Sequence, residues 1–173
     1  MEQPRQSGFS VTELLIVIAV VLVVLAIAIP RLLHARMNAN AASAAASIRA
    51  IHTAEATYAI SYPQVGYSAS LLSLGKNGST CESASSANAC LIDDTLATGT
   101  KSGYVFDLTG DGATPDATYN ITANPISNGF SGQCSFSSDQ TGSVHAQPVT
   151  AGSTSIFQMG GGGPGGCQSG GSM

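Results

Sequence analysis

Phe9 to Ile29 reads FSVTELLIVIAVVLVVLAIAI, 21 residues, and the fold of the whole chain follows from it. At about 1.5 Å of rise per helical residue, this length just matches a hydrocarbon layer of about 30 Å. The stretch can cross a membrane once. Leu14 to Ile29 is an unbroken run of 16 apolar residues, yet Glu13 stands immediately before it, five positions into the stretch. A carboxylate on the apolar side of a membrane segment costs at least about 2.5 to 3.5 kcal/mol, so an acid there calls for a function and a partner. The plainer reading, a carboxylate solvated by headgroups at interface depth, fits poorly with what lies upstream. MEQPRQSG (residues 1–8) is short and polar, carries Arg5, and puts Gly8 directly against the apolar run. Ordinary secretory signals place their cleavage site after the apolar region and discard it; here the plausible cut precedes it.

Gly8-Phe9-Ser10-Val11-Thr12-Glu13, followed by the apolar run and Pro30, resembles the class III signal of type IV pilins and of the pseudopilins of type II secretion. The resemblance covers residues 1 to about 62. It implies that a prepilin peptidase cuts after Gly8 and methylates the new N-terminal Phe9, that Glu13 is the acid four positions on, and that Pro30 kinks the helix. Ser10, Val11 and Thr12 replace a more usual Thr-Leu-Ile. The resemblance further implies a subunit held in the bacterial inner membrane by one pass, then assembled by pilus or secretion machinery into a helical homo-oligomeric filament. That filament would lie at the cell surface for a pilin and in the periplasm for a pseudopilin. Arg5 is the leader's only basic side chain, whereas Arg31, Arg36 and Arg49 follow the span, so the charge rule for orientation conflicts with this layout. The resemblance decides it, because the cleavage site must face the cytoplasm.

Composition bounds the remainder. The 173 residues suit one domain after the leader. Ten acids against six bases give a formal charge of −4, with no basic stripe for nucleic acid. Charged residues are only 9% of the chain, which suits a surface packed against copies of itself or exposed outside a cell. Cys81, Cys90, Cys134 and Cys167 follow a segment that would export them, and an even count outside the cytoplasm reads as two disulfides with three possible connectivities. Cys81 with Cys90 is favoured because CESASSANAC resembles a small loop pinned at its base, leaving Cys134 with Cys167. Zinc is the rival, but no CxxC pair is present.

Along the chain, residues 1–8 are the leader, 9–29 the membrane or filament-core helix and 30–62 an amphipathic helix continuing into the head. Residues 63–159 form that head and 160–173 a Gly-rich tail, flexible by composition. Arg31 to Tyr62 lacks Gly and Pro and is dense in alanine, the best helix former. Leu33, Met37, Ala41, Ala44, Ile48, Ile51, Ala54 and Tyr58 recur at helical spacing. They form an apolar stripe, while Arg49, His52 and Glu55 mark the polar side. The expectation is one long helix with a bend; the alternative is two helices broken at Pro30. Tyr62-Pro63 stops it. Residues 63 to about 101 read as an irregular connection with a short LLSLG segment.

From Gly103 the period becomes two. GYVFDLT (103–109), ATYNITA (117–123), GQCSFSS (132–138) and GSVHAQPV (142–149) read as strands separated by turn material. Tyr104, Phe106, Tyr119, Ile121, Phe136 and Val144 should face inward. The fold class is thus α+β, a long N-terminal helix packed on a small antiparallel sheet. GQCSFSSDQTGSVHAQ again resembles pilin-like heads. Asp107, Asp111 and Asp116 could ligate calcium, but EF-hand spacing is absent and a solvated turn explains them better. His34, His52 and His145 stand in no nucleophile or metal motif. No catalytic set and no cofactor is read. The primary expectation is a structural filament subunit, with a type II secretion pseudopilin as the alternative and a non-polymerising membrane-tethered binding module as the second.

Overall fold

The computed structural model describes residues 9–76, 78, 81, 83–149 and 167. The leader, and the tail apart from Cys167, fall outside the described residues. Helix α1 runs from Val11 to Ser61 and includes Pro30. Proline has no N–H to give to the carbonyl one turn back, yet the helical backbone is continuous through it. By its internal contacts the chain divides into two units, Met1–Arg36 and Met37–Met173.

In the first unit, the described part of α1 keeps its apolar side chains on the surface. Leu14 is 55% exposed and Ile27 60%. The most apolar 18-residue window of α1 has a mean hydropathy of 3.1 and none of it is buried. Among the described residues, this is the one helix long and apolar enough to cross a membrane. Leu33 belongs here as well: it is 45% exposed and does not join the buried stripe expected of it, which begins at Met37.

In the second unit, α1 buries Met37, Ala44, Ser47, Ile48, Ile51, Ala54, Glu55 and Tyr58. The spacing is that of one helical face. Arg49 is exposed, as expected of the polar side. Glu55 is not: it is fully buried, and His52 is half-buried. Position overrides residue type here, because Glu55 lies four residues after Ile51 and three before Tyr58, on the same stripe.

Past Tyr62-Pro63, two short helices punctuate the connection. Helix α2, Leu71–Leu74, starts at Ser70, whose hydroxyl accepts from the Leu72 N–H, an ordinary N-cap. Helix α3 is Asp94–Ala97. The Cys81–Cys90 disulfide, with Cα atoms 5.9 Å apart, closes the loop between them. Its base is sewn to α2 by Ala89 N–H to Ser73 O at 2.8 Å and Leu91 N–H to Leu74 O at 2.7 Å.

The sheet is an antiparallel meander in the order β1-β2-β3-β4-β5. Its strands are β1 Thr100–Lys101, β2 Tyr104–Gly110, β3 Tyr119–Pro125, β4 Cys134–Asp139 and β5 His145–Pro148. Burial alternates along β2, β3 and β4, as a half-buried sheet requires. Register aligns Phe106 with Ala123, Ala123 with Phe136, and Phe136 with Ala146. That row faces α1 in a core that also contains Ala44, Ile48, Ile51 and Tyr58. Tyr104, Phe106, Tyr119, Ile121, Phe136 and Val144 are all buried. Gly132 has a packing reason to be glycine, since a Cβ there would run into the ring of Tyr104. The result is an α+β molecule with a long N-terminal helix and a five-stranded antiparallel sheet.

Candidate functional site

The N-terminal end of α1 is laid out by its own residues. Phe9 is 74% exposed and precedes the helix. The Leu14 N–H donates to Ser10 O at 3.1 Å, and the Ser10 and Thr12 hydroxyls hydrogen-bond to each other at 2.8 Å. Glu13 lies in the first turn of α1, where a carboxylate meets the positive end of the helix dipole. An exposed aromatic start, an acid one turn in and an uncovered apolar helix are thus consecutive features of one surface.

The second unit places two ionisable groups of α1 in its interior. His52 Nδ1 is 2.6 Å from the Tyr119 hydroxyl and Nε2 is 2.7 Å from Ser138 Oγ. Ser138 gives its own proton to Ser143 O at 2.7 Å. Its oxygen must therefore accept from Nε2–H, leaving Nδ1 to accept from Tyr119. The neutral ring satisfies both partners, and burial holds the His52 pKa below its ordinary value, with Asp139 opposing. Although a serine and a histidine are in contact, the proton runs from ring to serine, the reverse of what activates a nucleophile. Burial likewise raises the Tyr119 hydroxyl.

One turn on, Glu55 Oε2 accepts the Ser68 N–H at 2.8 Å. Oε1 is buried without a hydrogen-bond partner. Burial pushes the Glu55 pKa up to about 7, the Ser68 N–H works against that, and the charge of Asp116 adds to it. Among the described residues the other buried orphan side-chain oxygen is Asp116 Oδ1.

Of the three calcium candidates, Asp111 and Asp116 are brought together and Asp107 stands apart. Asp107 is exposed on β2. Asp111 caps its own loop through the N–H groups of Ala113, Ala117 and Thr118 at 2.9, 3.2 and 3.1 Å. Those bonds, the Ala113 one first, hold it down at about 2. Asp116 is 8% exposed and raised by burial, then by its hydrogen bond to Asp111 and the charge there. Among the described residues no three His, Cys, Asp or Glu side chains gather as a metal-binding group. Cys134 is bonded to Cys167, with Cα atoms 5.7 Å apart, so residue 167 is tied to β4. Sequence reasoning missed Glu55 as an interior group and His52 as a half-buried one; for Glu55, its position on the buried stripe was the available signal.

Residues 3–29 match the family model described as the prokaryotic N-terminal methylation motif. This is the class III signal peptide of type IV pilins and pseudopilins, and it supports a pilin- or pseudopilin-like exported subunit. No curated protein and no solved structure matches the chain.

Proposed function

We infer that the chain is the structural subunit of a type IV pilus-like extracellular filament. It is made as a prepilin, cut by prepilin peptidase after Gly8, N-methylated at Phe9 and polymerised through its N-terminal helix. The observation that carries this reading is the methylation motif over residues 3–29 on a helix whose apolar side chains are uncovered. Burying one such side chain is worth about 1.5 to 3 kcal/mol, so the surface needs lipid before assembly and neighbouring helices after it. Glu13 would set register: a buried pair between the Phe9 amine and a neighbour's Glu13 adds little net stability but penalises every alignment that leaves one charge alone. A head stapled by two disulfides suits exposure outside the cell and favours the pilin over the pseudopilin.

The test is the intact mass and N-terminal fragmentation of protein sheared from native cells, with and without reductant. A chain starting at N-methylated Phe9 and gaining the mass of four hydrogens on reduction is expected. Processed protein confined to the envelope would point to a periplasmic pseudopilin fibre. A chain still carrying its leader in the membrane would sink both filament readings in favour of a tethered module.

A further inference from the structure

The segment from Val65 to Ser70 is held by the carboxyl of Glu55 and by the backbone of Asp116. Ser68 N–H donates to Glu55 Oε2 at 2.8 Å. Across the segment, Tyr67 N–H donates to Asp116 O at 3.0 Å and Asp116 N–H to Val65 O at 2.8 Å. Gly66, at φ 83°, lies so close to the Asp116 peptide that any Cβ would overlap it. The Ser68 hydroxyl then continues to Ser70 O at 2.8 Å and Ser73 Oγ at 2.6 Å, setting the start of α2. The segment from Val65 to the start of α2 is thus positioned from this joint.

The joint carries an unresolved charge. Glu55 is 0% exposed and Asp116 8%, and each has one buried carboxyl oxygen with no partner. The groups that act on Glu55 from the surrounding elements are Asp116 and the Ser68 N–H; Glu55 in turn acts on Tyr58 and Tyr119. Tyr67 packs against Tyr119, Asp111 stands behind Asp116, and His52 is committed to Tyr119 and Ser138. Apart from His52 in its protonated form, these groups offer no positive charge. A buried carboxylate without a cation is costly, and the cost disappears when a proton is added.

We propose that Glu55 is a proton-operated clasp: in mild acid a proton on Glu55 keeps the 65–70 segment seated between α1 and the β2–β3 loop, and ionisation of Glu55, buried and facing the charge of Asp116, releases it. The proton is taken from water and returned to it, with no covalent change. Burial outweighs the Ser68 N–H in setting where Glu55 ionises, so release falls within the range cells and their surroundings visit. The clasp stands independently of the filament reading.

Amide hydrogen exchange of Tyr67 and Ser68 in the full chain in detergent micelles tests it, with rates corrected for base catalysis. Protection should fall by about tenfold or more between about pH 5 and about pH 8.5, one pK unit of linkage being tenfold. Glu55→Gln, which keeps the Ser68 acceptor and removes the charge, should hold protection high throughout. Asp116→Asn should move the wild-type transition to lower pH, and the Glu55 carboxyl carbon resonance should titrate with the loss of protection even if neither variant folds. Protection that stays flat in wild type, or a pH response retained in Glu55→Gln, overturns the clasp. So does protection that depends on a divalent cation and is lost on chelation, because the joint would then be a metal site.

Discussion

His52 and Glu55 stand three residues apart on α1 and are shifted in opposite directions. Glu55 is raised from 4.5 to about 7; the folded state prefers its proton, so its contribution is complete in acid and is lost as pH rises through that window. His52 is lowered from 6.5; its contribution is complete above that value and is lost as pH falls through the folded pKa. Denaturant midpoints should therefore fall as pH rises from 6.5 through about 7, where the His52 contribution is already complete and that of Glu55 is being lost. Glu55→Gln should match wild type at about pH 5 and exceed it at about pH 8.5 by at most about 3 kcal/mol. His52→Ala should cost about 1 to 3 kcal/mol, because the Tyr119 hydroxyl and Ser138 lose a partner in a buried setting. A wild-type profile that does not fall as pH rises through about 7 would contradict the Glu55 assignment.

Individual elements show why some of this was legible in the sequence. Strands β2 to β4 alternate Tyr104-Phe106-Leu108, Tyr119-Ile121-Ala123 and Cys134-Phe136-Ser138 inward, and period two is a pattern a chain displays without its neighbours. The face of α1 was equally visible from Ile48, Ile51 and Tyr58. Helices α2 and α3 and strand β1 were not, because elements of two to four residues exist through tertiary bonds such as Ala89 N–H to Ser73 O. Glu55 was misjudged because its charge argued for solvent while its spacing argued for the core, and the spacing won. Ile51, fully buried in that core, should lose about 2 to 5 kcal/mol on substitution by Ala. Cys167→Ser should cost up to about 4 kcal/mol in the loop-entropy account, since the bond to Cys134 spans a separation of 33 residues. Unfolding midpoints of the oxidised proteins measure both, and a Cys167→Ser protein as stable as wild type would show that residue 167 contributes nothing to holding β4.

For the molecule as a whole, the decisive contrast lies between its two units. The second has a buried apolar core of its own between α1 and the sheet, whereas the apolar residues of the first, from Leu14 at 55% to Leu32 at 54%, are exposed. A helix of that kind is complete only in lipid or among copies of itself, and in lipid Glu13 is a liability of about 2.5 kcal/mol or more. The acid is tolerable if assembly gives it a partner, and the amine that the proposed cleavage would create at Phe9 stands four residues before it in the chain. Glu13→Ala should therefore make membrane insertion no less favourable and leave head stability unchanged, because the residue is exposed and belongs to the first unit. Sheared filament yield from cells expressing this variant alone should fall at least about tenfold, the loss expected when about 1.4 kcal/mol of register discrimination is removed. Co-expression with wild type separates register from simple loss of charge: Glu13→Ala subunits should be under-represented in mixed filaments relative to the membrane pool. Equal representation would mean that the carboxylate plays no part in choosing alignment.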